Sequence, residues 1–282
     1  MLKPQGQHHL HLPWPEVHNA LYIPMKFPVY LHLFGFKLHP HLVFESLAYT
    51  IGFLVYRQFR KRQGDPVPVS IRWSVIAAAA VGAVVGSKLL YWLEDPGRLI
   101  AHWHDPNVVW GGKTIVGGLI GGLFAVEWVK RRLEFSGRTG DLFAIPLCVG
   151  IAIGRIGCFL TGLADDTYGT ATSLPWGIDF GDGIRRHPTQ LYEIVFLLLL
   201  GLWLFRRMIR PHIQGDVFKM FMVGYSGWRL AIDFLKPDPR FFGMNSIQWA
   251  CLLVLLYYAR DIRRWLSRSR MDQMAAAGEA GT

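Results

Sequence analysis

The segment Ser74–Leu93, SVIAAAAVGAVVGSKLLYWL, is 20 residues long, and Lys88 is its single charged residue. A helix of this length matches the hydrocarbon core of a bilayer, which is about 30 Å thick. We therefore predict an all-α polytopic membrane protein with about seven transmembrane helices in residues 41–264. The six other predicted spans are 41–58, 114–129, 142–163, 189–205, 217–235 and 244–259, several of them near the lower length limit.

The composition agrees with a membrane protein. Of the 282 residues, 51% are hydrophobic and only 18% are charged, whereas soluble domains carry about 25% charged residues. This composition excludes a disordered chain, a coiled coil and a small disulfide scaffold. No internal repeat is visible, so the sequence gives no support for a transporter built from inverted repeats.

The formal net charge of +10 indicates membrane topology rather than a nucleic-acid partner. Most Lys and Arg residues fall in four connections, which alternate along the chain with less basic ones: 57–72, 130–138, 206–219 and 260–270. Cytoplasmic loops carry an excess of positive charge. The chain is therefore predicted to begin outside the cytoplasm and to end inside it, and its basic loops suit an anionic leaflet.

The two ends of the chain are predicted to lie outside the helical domain. Residues 1–40 hold six of the 11 histidines, and the stretch 28–38 alternates polar and apolar residues. This pattern predicts a short strand or interfacial hairpin on the outer face. No secretory signal pattern is visible, so we expect the first span to direct insertion. Residues 265–282 are predicted to form a disordered cytoplasmic tail.

The three cysteines, Cys148, Cys158 and Cys251, all lie in predicted spans. They form no even framework and do not have the spacing of metal ligands. We interpret them as small buried hydrophobic residues, and we predict neither a metal site nor a cofactor.

Ionisable residues within the predicted spans require an explanation, since each costs about 2.5–3.5 kcal/mol at a helix centre. Two interpretations stay open: salt bridges that fix helix packing, or a polar cavity that opens toward the outer leaflet. The second is attractive because Arg155 and Arg229 cannot lose their charge and would clamp a phosphate ester. The residues considered are Glu45, Lys88, Arg155, Glu193, Arg229 and Asp233.

Two motifs extend this hypothesis. Gly117 and Gly118 begin a predicted span, where they indicate either close helix packing or backbone N–H groups that contact an anion. In the segment RHPTQLYE (186–193), a proline in the first turn places Gln190 and Glu193 on one helix face, with His187 just outside. The alternative is an aromatic anchor at the membrane interface with a capping histidine. Arg229 and Asp233 have the spacing of an intrahelical ion pair.

Four segments together resemble the prolipoprotein diacylglyceryl transferase family. They are GGLIGG (117–122), GRIGCF (154–159), RHPTQLYE (186–193) and GYSGWRLAIDF (224–234). The resemblance implies a seven-helix enzyme of the bacterial inner membrane, which transfers the diacylglyceryl group of phosphatidylglycerol to the lipobox cysteine of a prolipoprotein. It implies that Arg155 and Arg229 hold the lipid phosphate, and that Gln190 and Tyr192 belong to the substrate site.

The sequence departs from the family pattern at positions that concern the chemistry. Val116 stands where the family has a histidine proposed to activate the thiol, and Cys158 and Leu163 stand where its signature has Asn and Glu. A base must lie within hydrogen-bond reach of the acceptor. The candidate catalytic residues are therefore Glu193, Glu45 and His187. The alternatives are a phospholipid-binding protein that has lost the base, and a transporter or channel.

Overall fold

The computed structural model describes residues 26–64 and 67–267. Helices dominate this part of the chain, which confirms the predicted all-α class. The helices are α1 (Pro40–Gln63), α2 (Val69–Trp92), α3 (Pro96–Ala101), α4 (Pro106–Trp110), α5 (Ile115–Arg132), α6 (Asp141–Thr161), α7 (Thr189–Met208), α8 (Asp216–Ile232) and α9 (Ser246–Tyr257). Short 3-10 turns follow α6 at Gly162–Asp165 and α8 at Asp233–Leu235.

Each of the seven predicted spans coincides with one long helix or, for the last span, with the 12-residue helix α9. Within the described ranges, Val69–Trp92 and Asp141–Asp165 are long and apolar enough to cross a membrane, and α9 is a shorter apolar helix. Valines of α2, such as Val81 and Val84, leave about two thirds of their surface exposed. A contiguous exposed apolar face of this kind suits contact with lipid.

The helices alternate in direction, so the chain has two distinct ends. At one end, which we call the hairpin end, α1, α5, α7 and α9 begin and α2, α6 and α8 finish. At the opposite, basic end, the last turns of three helices carry cations: Arg60, Lys61 and Arg62 on α1, Lys130, Arg131 and Arg132 on α5, and Arg206 and Arg207 on α7. The basic connections therefore lie at the end of the helices opposite the buried ionisable groups described below.

Two small hairpins give the hairpin end its name. Strand β1 (Leu31–Leu33) pairs antiparallel with β2 (Phe36–Leu38), and β3 (Ile178–Asp179) pairs with β4 (Arg185–Arg186). The first hairpin lies within 28–38, where the sequence predicted a short strand or hairpin, and its tip residue Phe34 is almost fully exposed. The rest of the predicted segment, residues 1–25, lies outside the described residues.

The predicted C-terminal tail is only partly within the described residues. After a turn at Tyr258 the chain is helical over 259–267. The expectation of disorder is therefore wrong for 265–267, because the apolar face of the last span continues as a helix into Trp265, which donates to Asp216. Residues 268–282 lie outside the described residues.

Glycines bring α2 and α5 into close contact. A Cβ atom at Gly86 would lie 2.3 Å from the carbonyl oxygen of Gly117, and one at Gly121 would lie 2.2 Å from that of Gly82. These distances are shorter than any real contact, so the two helices touch backbone to backbone. The close packing expected from the GGLIGG motif is therefore present, and its reason is steric.

This close contact predicts that one added methyl group will strongly reduce the stability of the protein. Replacing Gly121 by alanine should force α2 and α5 apart and destabilise the protein by roughly 1–3 kcal/mol or more, as overpacking does in other cores. The matched control is Gly122→Ala, since a Cβ there meets nothing closer than 3.4 Å. Thermal unfolding of both purified variants in detergent measures the difference. Equal melting temperatures for the two variants would contradict the packing described here.

Candidate active site

Arg155 forms the centre of a buried polar cluster at the hairpin end. Its Nε lies 2.8 Å from Glu193 Oε2, and both side chains are almost completely buried. Tyr225 donates to the other carboxylate oxygen of Glu193 at 2.6 Å. Since α6, α7 and α8 each supply one of these groups, the cluster exists only when the three helices are packed together.

Arg229 supplies the second guanidinium of the cluster. It binds Asp233 through two bonds, Nε to Oδ1 at 3.1 Å and Nη2 to Oδ2 at 2.9 Å, which confirms the intrahelical pair expected from their spacing. Lys236 Nζ lies 3.8 Å from Asp233 Oδ1. Glu193 interacts electrostatically with Arg155, Arg229 and Lys236, so both arginines lie near this carboxylate.

The cluster concentrates several buried charged groups. Three cationic side chains, Arg155, Arg229 and Lys236, lie with two carboxylates, Glu193 and Asp233, and all five are buried. Burial, together with the neighbouring Arg229, lowers the pKa of Lys236, while Asp233 opposes this effect. Two further carboxylates, described below, act electrostatically on Lys236 and Arg229. The buried guanidinium groups are suited to binding an anionic group such as a phosphate ester.

The RHPTQLYE segment lies beside this cluster. Gln190 is fully buried and donates through Nε2 to Thr167 Oγ1 at 3.2 Å. Its Oε1 has no hydrogen-bond partner within the part of the chain that the structure describes. A buried acceptor without a partner is costly, so this oxygen is available to a donor on a substrate.

His187 and Tyr192 lie at the edge of the cluster. Nδ1 of His187 is 3.2 Å from the Tyr192 hydroxyl, which also accepts from Trp176 Nε1 at 2.8 Å. The loop before α7 holds His187 through its backbone, which exchanges hydrogen bonds with Gly169 and Thr170. The imidazole of His187 is therefore held next to the hydroxyl group of Tyr192.

The predicted anion contacts of Gly117 and Gly118 receive no support from the geometry. The N–H of Gly117 donates to the Thr114 hydroxyl at 3.2 Å, and that of Gly118 donates to the Thr114 carbonyl at 3.1 Å. Thr114 thus caps α5 in the ordinary way. Both amides already have partners, and the geometry favours helix packing for Gly117, where a Cβ would clash with the carbonyl oxygen of Gly86.

Glu45 lies on α1 among different partners. Its carboxylate forms an ion pair with Lys113 and accepts from the Tyr49 hydroxyl at 3.2 Å. Its second oxygen is 3.6 Å from Nε2 of His41. Val116, in the position of the family's histidine, is almost fully buried, and its hydrocarbon side chain cannot accept a proton.

The sequence alone did not indicate that a further pair of carboxylates, Glu94 and Asp238, lies at the hairpin end. Burial raises the pKa of Glu94 to about 7, and the nearby Asp238 contributes in the same direction, while Lys236 and Arg229 oppose it. Burial also raises the pKa of Asp238. Glu94 follows α2 and Asp238 follows α8, so a distance of 144 positions in the sequence hides their proximity.

Glu94 should give the protein a pH-dependent stability. Its pKa is higher in the folded protein than the ordinary 4.5, so the folded state binds an extra proton between about pH 4.5 and 7, and stability falls as the pH rises through this window. Glu94→Gln should therefore raise stability at pH 8 by up to about 3 kcal/mol and change little at pH 4. Melting temperatures at both pH values test this.

The exposed Glu134 provides the control for this measurement, because Glu134→Gln removes a carboxylate at the basic end. It should leave the pH profile unchanged. A Glu94→Gln variant that gains no stability at pH 8 would show that Glu94 is not desolvated.

Taken together, the apolar helices and the buried arginine cluster are those of a membrane protein with a polar site near one end of its helices. The model of the family described as prolipoprotein diacylglyceryl transferase matches residues 28–260. The chain belongs to this family, which confirms the resemblance seen in its motifs, and it is a membrane-associated transferase.

Individual relatives support the assignment along most of the chain. A protein of Cupriavidus necator is 32% identical over 251 residues, covering 81% of this chain and 89% of its own length. A protein of Cupriavidus metallidurans is 32% identical over 272 residues, covering 89% and 97%, and one of Nitrosomonas europaea is 33% identical over 240 residues, covering 76% and 84%. All three are named phosphatidylglycerol–prolipoprotein diacylglyceryl transferase.

Proposed function

We propose that this chain transfers the diacylglyceryl group of phosphatidylglycerol to the thiol of a lipobox cysteine in a prolipoprotein, with release of glycerol phosphate. The names of the relatives support this choice of substrates. The observation that carries the proposal is the pair of buried arginines, Arg155 and Arg229, which both act electrostatically on Glu193.

The two guanidinium groups bind the lipid phosphate in this proposal. The phosphate becomes the leaving group, and negative charge grows on its bridging oxygen as the carbon–oxygen bond breaks. Preorganised donors in a site that excludes water stabilise such developing charge most strongly. Arg155 and Arg229 are held in place before substrate binds, by Glu193 and Asp233 respectively, so little reorganisation is needed during the reaction.

Four residues of the RHPTQLYE segment have distinct roles in the proposal. Glu193 positions Arg155, because its two oxygens are occupied by Arg155 and Tyr225. The free Oε1 of Gln190 accepts a hydrogen bond from a hydroxyl of the glycerol headgroup. Tyr192 contacts the same headgroup, and His187, bonded to the Tyr192 hydroxyl, stays a candidate for proton transfer.

The arrangement of the helices supports a definite topology. We propose that seven helices within 41–264 cross the bacterial inner membrane, with the N-terminus and the interfacial segment 1–40 outside and the C-terminus in the cytoplasm. In this orientation the basic end faces the cytoplasm, as the distribution of Lys and Arg requires. The arginine cluster then opens toward the outer leaflet, where a secreted precursor presents its cysteine.

The direct test is a reconstituted reaction. The purified full-length chain is placed in phosphatidylglycerol vesicles with a labelled headgroup and a lipobox peptide. We expect glycerol phosphate to be released in equal amount to diacylglyceryl-modified peptide, both measured by mass spectrometry. A peptide with serine in place of cysteine and vesicles of phosphatidylethanolamine are the negative controls. Lipid binding without any glycerol phosphate would reject transfer and favour the non-catalytic phospholipid-binding alternative.

A further inference from the structure

Three side chains of different chemistry converge at the hairpin end. They are His41 at the start of α1, Cys158 near the end of α6 and Asp165 in the 3-10 turn that follows it. A ring nitrogen, the sulfur and a carboxylate oxygen all lie within 4.8 Å of one another. His41 Nδ1 and Asp165 Oδ1 are 2.9 Å apart. Imidazole, thiolate and carboxylate are the three ligand types that zinc uses in proteins.

We propose that His41, Cys158 and Asp165 bind a zinc ion, and that this ion activates the thiol of the acceptor. The second part rests on the transferase function proposed above, whereas the metal site does not. The zinc ion also replaces the base that the chain lacks at Val116, since a metal can generate a thiolate without a neighbouring base.

Each of the three ligands has its own supporting residue. Glu45 Oε2 lies 3.6 Å from His41 Nε2, on the side of the ring away from Asp165. Thr167 donates to the second carboxylate oxygen of Asp165 at 2.6 Å, and Arg155 Nη1 donates to the Cys158 sulfur at 3.8 Å. Metal-binding histidines usually turn their second nitrogen toward a carboxylate, and ligating carboxylates are themselves hydrogen-bonded. The surroundings are therefore those of a metal site.

The geometry needs only small side-chain movements. Zinc bonds of about 2.0–2.3 Å in a tetrahedral site place ligand atoms roughly 3.3–3.7 Å apart. The widest pair in this cluster is at most 4.8 Å apart, and the His41–Asp165 pair must open slightly. Three protein ligands leave a fourth position, as in catalytic zinc sites. The His41 side chain is about one third exposed, so a substrate can reach that position.

The charges also fit a divalent cation. The two positive charges of zinc balance one thiolate at Cys158 and one carboxylate at Asp165, so that the occupied site is neutral. The adjacent charge of Arg155 is already matched by Glu193 at 2.8 Å. A bound ion therefore adds no net charge to this buried region.

The zinc ion changes how the acceptor loses its proton. The incoming lipobox thiol replaces a water molecule at the fourth position and releases its proton to solvent, because a coordinated thiol is deprotonated outright. Its sulfur then forms a bond to the glyceryl carbon of the lipid. The bond from this carbon to the phosphate oxygen breaks, and the electron pair leaves with glycerol phosphate, next to Arg155.

Metal binding is tested on the purified full-length chain with Zn²⁺ or Co²⁺ alone. We expect one equivalent of zinc by elemental analysis, and with cobalt a sulfur-to-metal charge-transfer band in the near ultraviolet. Cys158→Ser should abolish the band, and His41→Ala and Asp165→Asn should weaken zinc binding at least tenfold. Two controls should keep both signals: Asp166→Asn, which changes an exposed neighbour, and Cys148→Ala, which removes a different buried sulfur.

A lipobox peptide separates the two parts of the inference. Adding the cysteine peptide to the cobalt-loaded protein should intensify the charge-transfer band, and the serine peptide should not. Zinc binding no tighter than that of the Cys158→Ser variant would overturn the metal site. Full transfer activity after removal of the metal by a chelator would overturn its role in activation and leave the proposed function intact. A zinc-loaded protein that performs no transfer would contradict the proposed function, and with it the activation role, and would leave the metal site intact.

Discussion

Replacing Arg155 by alanine should lower the rate of diacylglyceryl transfer about 10²–10³-fold, the range seen when one preorganised donor to a developing anion is removed. The phosphate would then leave without its nearest guanidinium. Arg155→Lys should recover little of this loss, because an ammonium group keeps the charge but lacks the planar pair of donors. Release of glycerol phosphate in the reconstituted assay measures both effects.

A loss of folding has to be separated from a loss of catalysis in this variant. Arg155→Ala leaves Glu193 as a buried carboxylate without its ion-pair partner, which costs about 3–5 kcal/mol in comparable sites. The double variant Arg155→Ala with Glu193→Gln removes both charges and should restore the melting temperature but not the activity. The exposed Arg98 provides a matched control, since Arg98→Ala should change neither. Normal turnover by the double variant would remove Arg155 from the phosphate site.

Replacing Arg229 by alanine should reduce transfer by a similar factor, about 10²–10³-fold, for a related reason. Arg229 contributes the second guanidinium of the phosphate site, and its removal also takes one ion-pair partner from Asp233 and leaves Lys236 as the other. The cluster would then hold two buried cationic side chains in place of three. We expect the Michaelis constant for phosphatidylglycerol to rise together with the loss of rate, because the ground-state phosphate is bound as well.

The double variant Arg229→Gln with Asp233→Asn keeps hydrogen-bonding capacity while it removes the ion pair. It should fold and insert normally but remain inactive. In cells depleted of their own transferase, the wild-type chain should restore lipoprotein modification, whereas both arginine variants should fail. Restoration by a variant that lacks Arg229 would refute the two-arginine site.

Local patterns in the sequence predicted much of this molecule. The apolar segments predicted the positions of the six long helices and of the shorter α9, since a helix that meets lipid must satisfy its own backbone hydrogen bonds. The spacing of Arg229 and Asp233 predicted their ion pair, and the alternation in 28–38 predicted the first hairpin. Each of these features depends on residues within a few turns of one another, so the local sequence contains the information.

Some sequence patterns fitted two different roles and could not be assigned to one of them from the sequence alone. The pair Gly117–Gly118 suited both helix packing and anion binding, and only the bonds of both amides to Thr114 favour packing. Glu193 suited both a base and a partner of Arg155, and its contacts with Arg155 and Tyr225 favour the second role. Residue type and spacing cannot decide such cases, because the partner lies on another helix.

The sequence by itself determined the helical class, the family and the two arginines, since these depend on composition, periodicity and motifs. Only the tertiary structure brought His41, Cys158 and Asp165 together and placed Glu94 beside Asp238. Cys158 was interpreted from its spacing as a small buried hydrophobic residue, whereas its neighbours give it a different environment. The physical reason is that these groups lie at helix ends and in connections, where contacts depend on how the helices pack and not on local repeats.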